Sequence, residues 1–283
     1  MKTILILGGT GMLGNAVGQF FQAREEKYST FLTLRDPSLA YGKSGHWIKF
    51  DPTGKTLSAE SRIEEVLERM PRNPDYVINC IGTIKPQMSK NKIDSIYINA
   101  LFPHQLSETC KALGIRVINI TTDCCYSGSK GNYTESSLHD ALDDYGKSKS
   151  LGEATSNSLV IRTSIIGPEL HHQASLIAWA QSQSGKSVNG YRNHLWNGIT
   201  CKQYADICAQ IIDKDLYYEG LFHVHSDTVT KYELLHLINE RYDLNLDIIE
   251  VDAPEPIDRS LATEKTLMSK ITIPTLREQI MNL

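Results

Sequence analysis

Thr3-Ile4-Leu5-Ile6-Leu7-Gly8-Gly9-Thr10-Gly11-Met12-Leu13-Gly14 decides how this chain is read. Residues 3–7 form a continuous apolar run rather than an alternating one. That is the pattern of a strand buried on both faces of a parallel sheet. The run enters a glycine-rich turn, and a helix-like stretch follows from Asn15 to about Arg24. Strand, glycine turn and helix, in that order, are the setting of a dinucleotide site. Gly8 would make the tight turn, Gly11 would let the backbone approach a pyrophosphate, and Gly14 would let the helix pack close to the sheet. Thr10, Met12 and Leu13 complete the turn. The helix N-terminus would offer them free N–H groups and a favourable dipole for phosphate.

Outward from that turn the same alternation repeats. Thr30 to Leu34, His46 to Phe50, Asp75 to Asn79 and Arg116 to Ile120 read as strands. Glu60 to Met70 and Ile93 to Leu113 read as helices between them. The expected fold is α/β: a doubly wound parallel sheet (Rossmann fold) with a smaller, discontinuous α/β substrate-binding domain. Residues 1–162 plus about 200–225 would form the dinucleotide-binding domain. About 163–199 plus 226–283 would form the other.

Ligands in such folds lie beyond the carboxyl ends of the strands. Arg35, at the end of the second strand, suits a ribose 2′-phosphate through charge-assisted hydrogen bonds. Asp36 follows it directly, so the reading is NADPH with NADH open. Asp51, after the third strand, would accept from the adenine amino group. Cys80-Ile81-Gly82-Thr83 would run under the nicotinamide ribose. Asn99 interrupts a helix against its propensity, and either a backbone kink with a bound water or exposure would explain it.

Composition is that of an ordinary globular chain with a net charge of −4, without the basic stripe of a nucleic-acid binder. No apolar run approaches the length of a membrane span. The N-terminal apolar run turns glycine-rich too soon for a signal peptide, so a cytoplasmic protein is expected. The six cysteines show neither zinc spacing nor a disulfide framework. His171-His172 lacks further ligands nearby, and no metal is expected.

Tyr145-Gly146-Lys147-Ser148-Lys149 carries the chemistry. On a helix, Tyr145 and Lys149 share a face. A tyrosine holds its proton to a pKa of about 10, and a nearby ammonium lowers that value. The pair would exchange a proton near neutrality, while Lys149 would also bind a ribose hydroxyl.

With Thr121-Thr122-Asp123, these pieces resemble the extended short-chain dehydrogenase/reductases and their Ser/Thr…Tyr-x-x-x-Lys set. The dTDP-4-dehydrorhamnose reductase branch is the nearest likeness. The matching segments are the glycine turn, Asn99-Ala100, Tyr133-x-Glu135, Gly152-Glu153 and Val160-Ile161-Arg162-Thr163-Ser164. Further on come Asn197-Gly198-Ile199-Thr200, Gly220-Leu221-Phe222-His223 and Lys231-Tyr232-Glu233-Leu234. The resemblance implies that Tyr145 is the general acid and that Lys149 holds the ribose and tunes Tyr145. It implies that Thr122 bonds the reacting carbonyl oxygen and that Asp123 positions the loop or a substrate hydroxyl. It departs where Cys124-Cys125-Tyr126 stands for the family's Tyr-Val-Phe. Those thiols are expected to pack under the loop.

Later in the chain, Gln173 to Gln183 reads as a helix, and Lys202 to Asp213 as another returning to the main sheet. Arg192-Asn193-His194-Leu195-Trp196-Asn197 offers groups for a sugar diphosphate or a base, with Arg192 and Trp196 foremost. Arg259 matches a family arginine that contacts the nucleotide diphosphate. An ion pair with Glu255 or Asp258 is its other reading. The tail from Ile273 reads as a proline-initiated helix.

The resemblance implies an NAD(P)H-dependent reductase of a nucleotide-linked 4-keto-6-deoxy sugar, in deoxysugar or surface-polysaccharide biosynthesis. Two alternatives stand. One is an epimerase or dehydratase with tightly held NAD. The other is a non-catalytic dinucleotide-binding subunit, like the regulatory subunit of methionine adenosyltransferase. A homodimer is open, because helix pairing leaves no mark in the sequence.

Overall fold

Seven parallel strands form the centre of the protein. They are β1 (Lys2–Leu7), β2 (Tyr28–Leu34), β3 (His46–Lys49), β4 (Tyr76–Asn79), β5 (Arg116–Thr121), β6 (Leu159–Arg162) and β7 (Gly220–His223). Their order across the sheet is β7-β6-β5-β4-β1-β2-β3. The computed structural model describes residues 1–40, 44–54, 59–169 and 175–283. The His171-His172 pair and the start expected for a helix at Gln173 lie outside the described residues. That helix spans Leu176–Ser182.

The continuous apolar run of β1 follows from this architecture. Ile4 and Ile6 face one helical layer, with Val17 and Phe21 of helix Met12–Gln22 and Tyr204, Ile207 and Ile211 of helix Cys201–Asp213. Leu5 and Leu7 face the other, with Ile63, Val66, Phe102 and Leu106. A strand covered on both sides has no polar face to show. Each such buried side chain contributes about 1.5–3 kcal/mol.

The chain runs from β1 outward to β2 and β3, then crosses back to β4 and continues the other way. The crevice beyond β1 and β4 is therefore the switch point of the sheet. The glycine turn and Cys80–Thr83 meet there.

Three expectations need correction. The helix expected from Ile93 to Leu113 is three pieces: Lys92–Ile96, a π-helical turn Tyr97–Leu101, and Phe102–Ala112. Asn99 sits in the π turn and is 1% exposed, so exposure does not explain it. Its amide is used by protein groups, as shown below. The tail helix begins not at proline but at Thr275, which caps Leu276–Met281 through a reciprocal box with Glu278.

A second, smaller core gathers Ile177, Trp196, Leu234, Leu235, Ile238, Leu276 and Ile280. It lies under short sheets that pair Ser187–Tyr191 with Asp247–Val251, and His194–Trp196 with Val229–Thr230 and Ile257–Asp258. Leu267 and Ile271 pack back onto the main core, so the last segment of the chain serves both parts. Among the described residues, no helix is long and apolar enough to cross a membrane.

Candidate active site

The glycine turn is shaped by two contacts that a side chain would destroy. Gly8 has φ +81°, where glycine alone is free of strain. A Cβ on Gly14 would lie 2.1 Å from the Gly8 carbonyl oxygen, so only glycine lets the helix approach. Thr33 of β2 anchors the turn, its hydroxyl accepting from Gly8 N at 3.0 Å and its carbonyl from Gly9 N at 2.9 Å. Gly11 caps the helix with no side-chain acceptor, and first-turn N–H groups have no partner within a helix.

The turn opens on a cavity of about 480 Å³, lined by Gly8, Thr10, Gly11, Met12, Arg35 and Ile81 among others. It continues into a second of about 640 Å³ that shares Gly11, Met12, Cys80, Ile81 and Gly82 and adds Leu13, Thr122, Asp123, Tyr145 and Lys149. The glycine turn, the loop after β4 and the Tyr145 helix therefore border one crevice.

Arg35 lines both halves. Asp36 does not compete for it. Its carboxylate accepts from Ser38 N at 2.9 Å and is held below the usual carboxylate range chiefly by Ser38 hydrogen bonds. Asp51 is exposed and is not among the residues that line the cavity. Its carboxylate is turned onto Thr53, accepting from N at 3.0 Å and from Oγ at 2.8 Å. Phe50 and Pro52, on either side of it, line the cavity instead. An Asp two residues before a threonine at a strand end closes a local turn, and that signal was in the sequence.

Helix Asp144–Leu151 starts at Asp143, whose side chain accepts from Gly146 N at 2.9 Å. One turn on, Lys149 is buried, and its Nζ donates to the Ile120 carbonyl at 3.2 Å. Nζ is also 3.8 Å from where a Cβ of Gly82 would stand. Burial lowers its pKa to about 8, and Glu153 opposes the shift. Tyr145 is half-buried and borders the same crevice as Thr122. Its phenol titrates above, not below, its ordinary value. Burial is the main cause, Cys124 and Asp123 add to it, and Thr122 opposes. Lys149 is not among the groups that shift it, so the expected lowering is absent. Tyr145 is thus a protonated phenol.

Asn99 secures this helix to the crevice wall. Its Oδ1 accepts from Thr83 N at 3.0 Å, and its Nδ2 donates to the Thr83 carbonyl at 3.0 Å and to Ser148 Oγ at 3.2 Å. The π turn brings the amide to that position.

Thr122 ends β5. Its hydroxyl donates to Asp123 Oδ1 at 3.1 Å and accepts from Cys124 N at 3.2 Å, so it caps its own turn as well as facing the cavity. Asp123 is 4% exposed. Burial raises its carboxyl pKa against the opposing charges of Arg259 and Lys231. Cys125 is buried as expected, but Cys124 lines the cavity. Burial pushes the Cys124 thiol up to about 11, so it is not a thiolate.

The substrate residues expected further on divide. Arg192 is exposed, lies outside the crevice and is paired in bidentate fashion with Asp252 at 2.8 Å. The strand pairing that joins them spans 60 residues and is invisible locally. Trp196 is buried and lines a small cavity next to the crevice. Arg259 donates through Nε to the Tyr126 carbonyl at 2.9 Å, and its charge acts on Asp123 rather than on Glu255 or Asp258.

The family model described as "RmlD substrate binding domain" matches residues 1–281. The chain belongs to the RmlD family. This is the dTDP-4-dehydrorhamnose reductase branch of the extended short-chain dehydrogenase/reductases. Among solved structures, the dTDP-4-dehydrorhamnose reductase of Bacillus anthracis, in complex with NADP, superimposes with a TM-score of 0.77. It has 17% identity and covers 100% of this chain and 98% of that one. The dTDP-glucose 4,6-dehydratase of the same organism, in complex with NAD, gives 0.76 at 15% identity, covering 99% and 94%. Among curated relatives, methionine adenosyltransferase 2 subunit beta of Rattus norvegicus is 25% identical over 257 residues. That match covers 86% of this chain and 73% of the relative.

Several RmlD-family motif residues that sequence reading left without a role form a buried network behind the site. Arg162 is fully buried and bidentate on Glu153, at 2.9 and 2.6 Å. It also bonds Tyr126, His139 and His223. Cys125, His139 and Glu153 bring ligand-type atoms within 4.8 Å of one another, but the guanidinium on Glu153 and His139 supplies the cation there. Glu135 accepts from His223 N at 2.8 Å, Thr263 Oγ at 2.6 Å and Glu264 N at 2.9 Å. The motif Tyr133-x-Glu135 thereby ties the loop before the Tyr145 helix to β7 and to the C-terminal segment. A half-buried glutamate two residues from a tyrosine carried no local signal of this.

Proposed function

We propose that this protein is an NADPH-dependent reductase of a nucleotide-linked 4-keto-6-deoxy sugar. The observation that carries the reading is the meeting of Thr122, Tyr145 and Lys149 with the glycine turn around one crevice. The cradle fits a dinucleotide, since Gly11 adds no side chain to the turn and the helix it opens has no side-chain cap on its first N–H groups. The B. anthracis neighbours solved with NADP and NAD support a nicotinamide dinucleotide. Gly8, Thr10, Gly11, Met12 and Leu13 would hold its phosphates, Cys80, Ile81 and Gly82 would flank its nicotinamide ribose, and Lys149 would bond the ribose hydroxyls. When bound in reduced form, the dinucleotide supplies a hydride.

The chain's own residues manage the proton. Negative charge develops on the carbonyl oxygen, and the hydroxyls of Thr122 and Tyr145 meet it. Tyr145, neutral and beside Thr122 in the crevice, gives its proton to that oxygen. Asp123 orients Thr122. Asn99 and Ser148 fix the helix that bears Tyr145.

The test is oxidation of NADPH with freshly made nucleotide 4-keto-6-deoxy sugars in dTDP, CDP, GDP and UDP forms. Turnover with one class supports the reading, and silence despite cofactor binding rejects it. A second reading is favoured by the curated relatives, which are regulatory beta subunits. It would make the chain a dinucleotide-binding partner protein. Silence across the panel would favour it.

Two consequences concern the cofactor. Arg35→Gln is expected to weaken NADPH binding about ten-fold or more while leaving NADH nearly unchanged. Fluorescence titration of both cofactors checks this, and parallel losses would remove Arg35 as the phosphate ligand. Lys149 loses its proton as pH rises through about 8. Dinucleotide affinity is therefore expected to fall above that pH, and Lys149→Met should flatten the profile at the weaker level.

A further inference from the structure

Beside the crevice lies a cavity of about 210 Å³ whose lining includes Met12, Ser164, Trp196, Lys231 and Leu234. Lys231 opens helix Lys231–Tyr242, whose N-terminus is already satisfied by the Thr230–Glu233 box. Its ammonium lies 5.5 Å from the centroid of the Trp196 ring. Among the described residues, no carboxylate forms an ion pair with it. The acids nearby are otherwise engaged. Asp123 takes the Thr122 hydroxyl, and Glu169, on the same wall, accepts from Ser175 N at 2.8 Å. Arg259 and Cys124 are the other charged or titratable groups that act on Lys231, and Arg259 adds a second positive charge. Burial draws the basicity of Lys231 down, against the opposing pull of Asp123 and Cys124. A partly buried ammonium that feels the charge of Asp123 but makes no ion pair is costly to keep. The cost is relieved when an oxyanion enters.

We propose that this cavity is an oxyanion subsite whose charge is Lys231, with the Trp196 face as its floor. The ligand class is a nucleotide sugar, entering from the side of Thr122 and ending an oxyanion on Lys231. That oxyanion is either a carboxylate on the sugar or the diphosphate itself. The inference rests on the nucleotide-sugar part of the proposed function, but it does not need reduction to occur.

The experiment is calorimetric binding to the full chain at saturating NADP+. UDP-glucose, UDP-glucuronate and their dTDP, CDP and GDP counterparts are titrated into wild type, Lys231→Met and Lys231→Arg. Methionine keeps the apolar stem against Trp196, and thermal melting verifies that each variant folds. A loss of about ten-fold or more in Lys231→Met, restored in part by Lys231→Arg, is the expected result. If only the glucuronates lose affinity, the oxyanion is the sugar carboxylate. If all the sugars that bind lose it alike, it is the diphosphate. Tight binding that ignores Lys231 overturns the subsite and leaves the nucleotide-sugar reading standing. No binding by any probe overturns both. Lys231-dependent binding with no NADPH oxidation on the ketosugar panel keeps the subsite and rejects the reductase.

Discussion

Tyr145→Phe is expected to lower turnover by about 10³-fold, within the range for loss of a positioned general acid, and to leave dinucleotide affinity within a factor of about two. The asymmetry follows from geometry. The phenol lines the crevice with Thr122, at the proposed reacting position, whereas the groups assigned to the cofactor are the glycine turn, the loop after β4 and Lys149. Phenylalanine keeps the ring and its packing and removes one O–H. Burial holds the tyrosine protonated over the whole working range of pH, so wild-type activity should show no limb from Tyr145 near neutrality. Single-turnover rates and cofactor titrations on both proteins would decide. Near-normal turnover in the variant would remove Tyr145 as the acid. A parallel loss of cofactor binding would mean that the helix had moved.

The largest stability effect is expected at Arg162. Its guanidinium is 0% exposed and Glu153 nearly so. Removing one partner strands the other charge in a medium that cannot solvate it. Arg162→Met or Glu153→Gln should therefore cost about 3–5 kcal/mol, read as a shift in the urea midpoint. Arg192 and Asp252 form a pair of similar geometry in solvent, and Arg192→Ala should leave the midpoint unchanged. If the two sites behaved alike, burial would not be what gives the Arg162 network its weight. Substituting both Arg162 and Glu153 by apolar residues should recover part of the loss, because no lone charge then remains.

Much of the site was legible before any coordinates. Gly8 and Gly14 were readable because a left-handed turn and a close helix approach are local stereochemical demands. Tyr145 and Lys149 were readable because helical spacing puts them on one face. The protonation of that pair was misjudged. Lys149 is bonded to a carbonyl of β5, and nothing within four residues of it reveals that. Asp51 has a partner close by in sequence: Thr53 offers its Oδ1 two donors at once.

By itself the sequence determined the order of strands and helices, the doubly wound sheet, and the edges of the crevice. Apolar periodicity and glycine stereochemistry act over a few residues and need no distant partner. Tertiary structure alone decided the pairing of charges. Arg192 found Asp252, Glu135 found the backbone of His223 and Glu264, and Lys231 came to lie near Asp123 without an ion-pair partner. Each of these relations spans tens to more than a hundred residues. A charge is solvated or satisfied by whatever the packed chain brings to it, and only the packing fixes which groups those are.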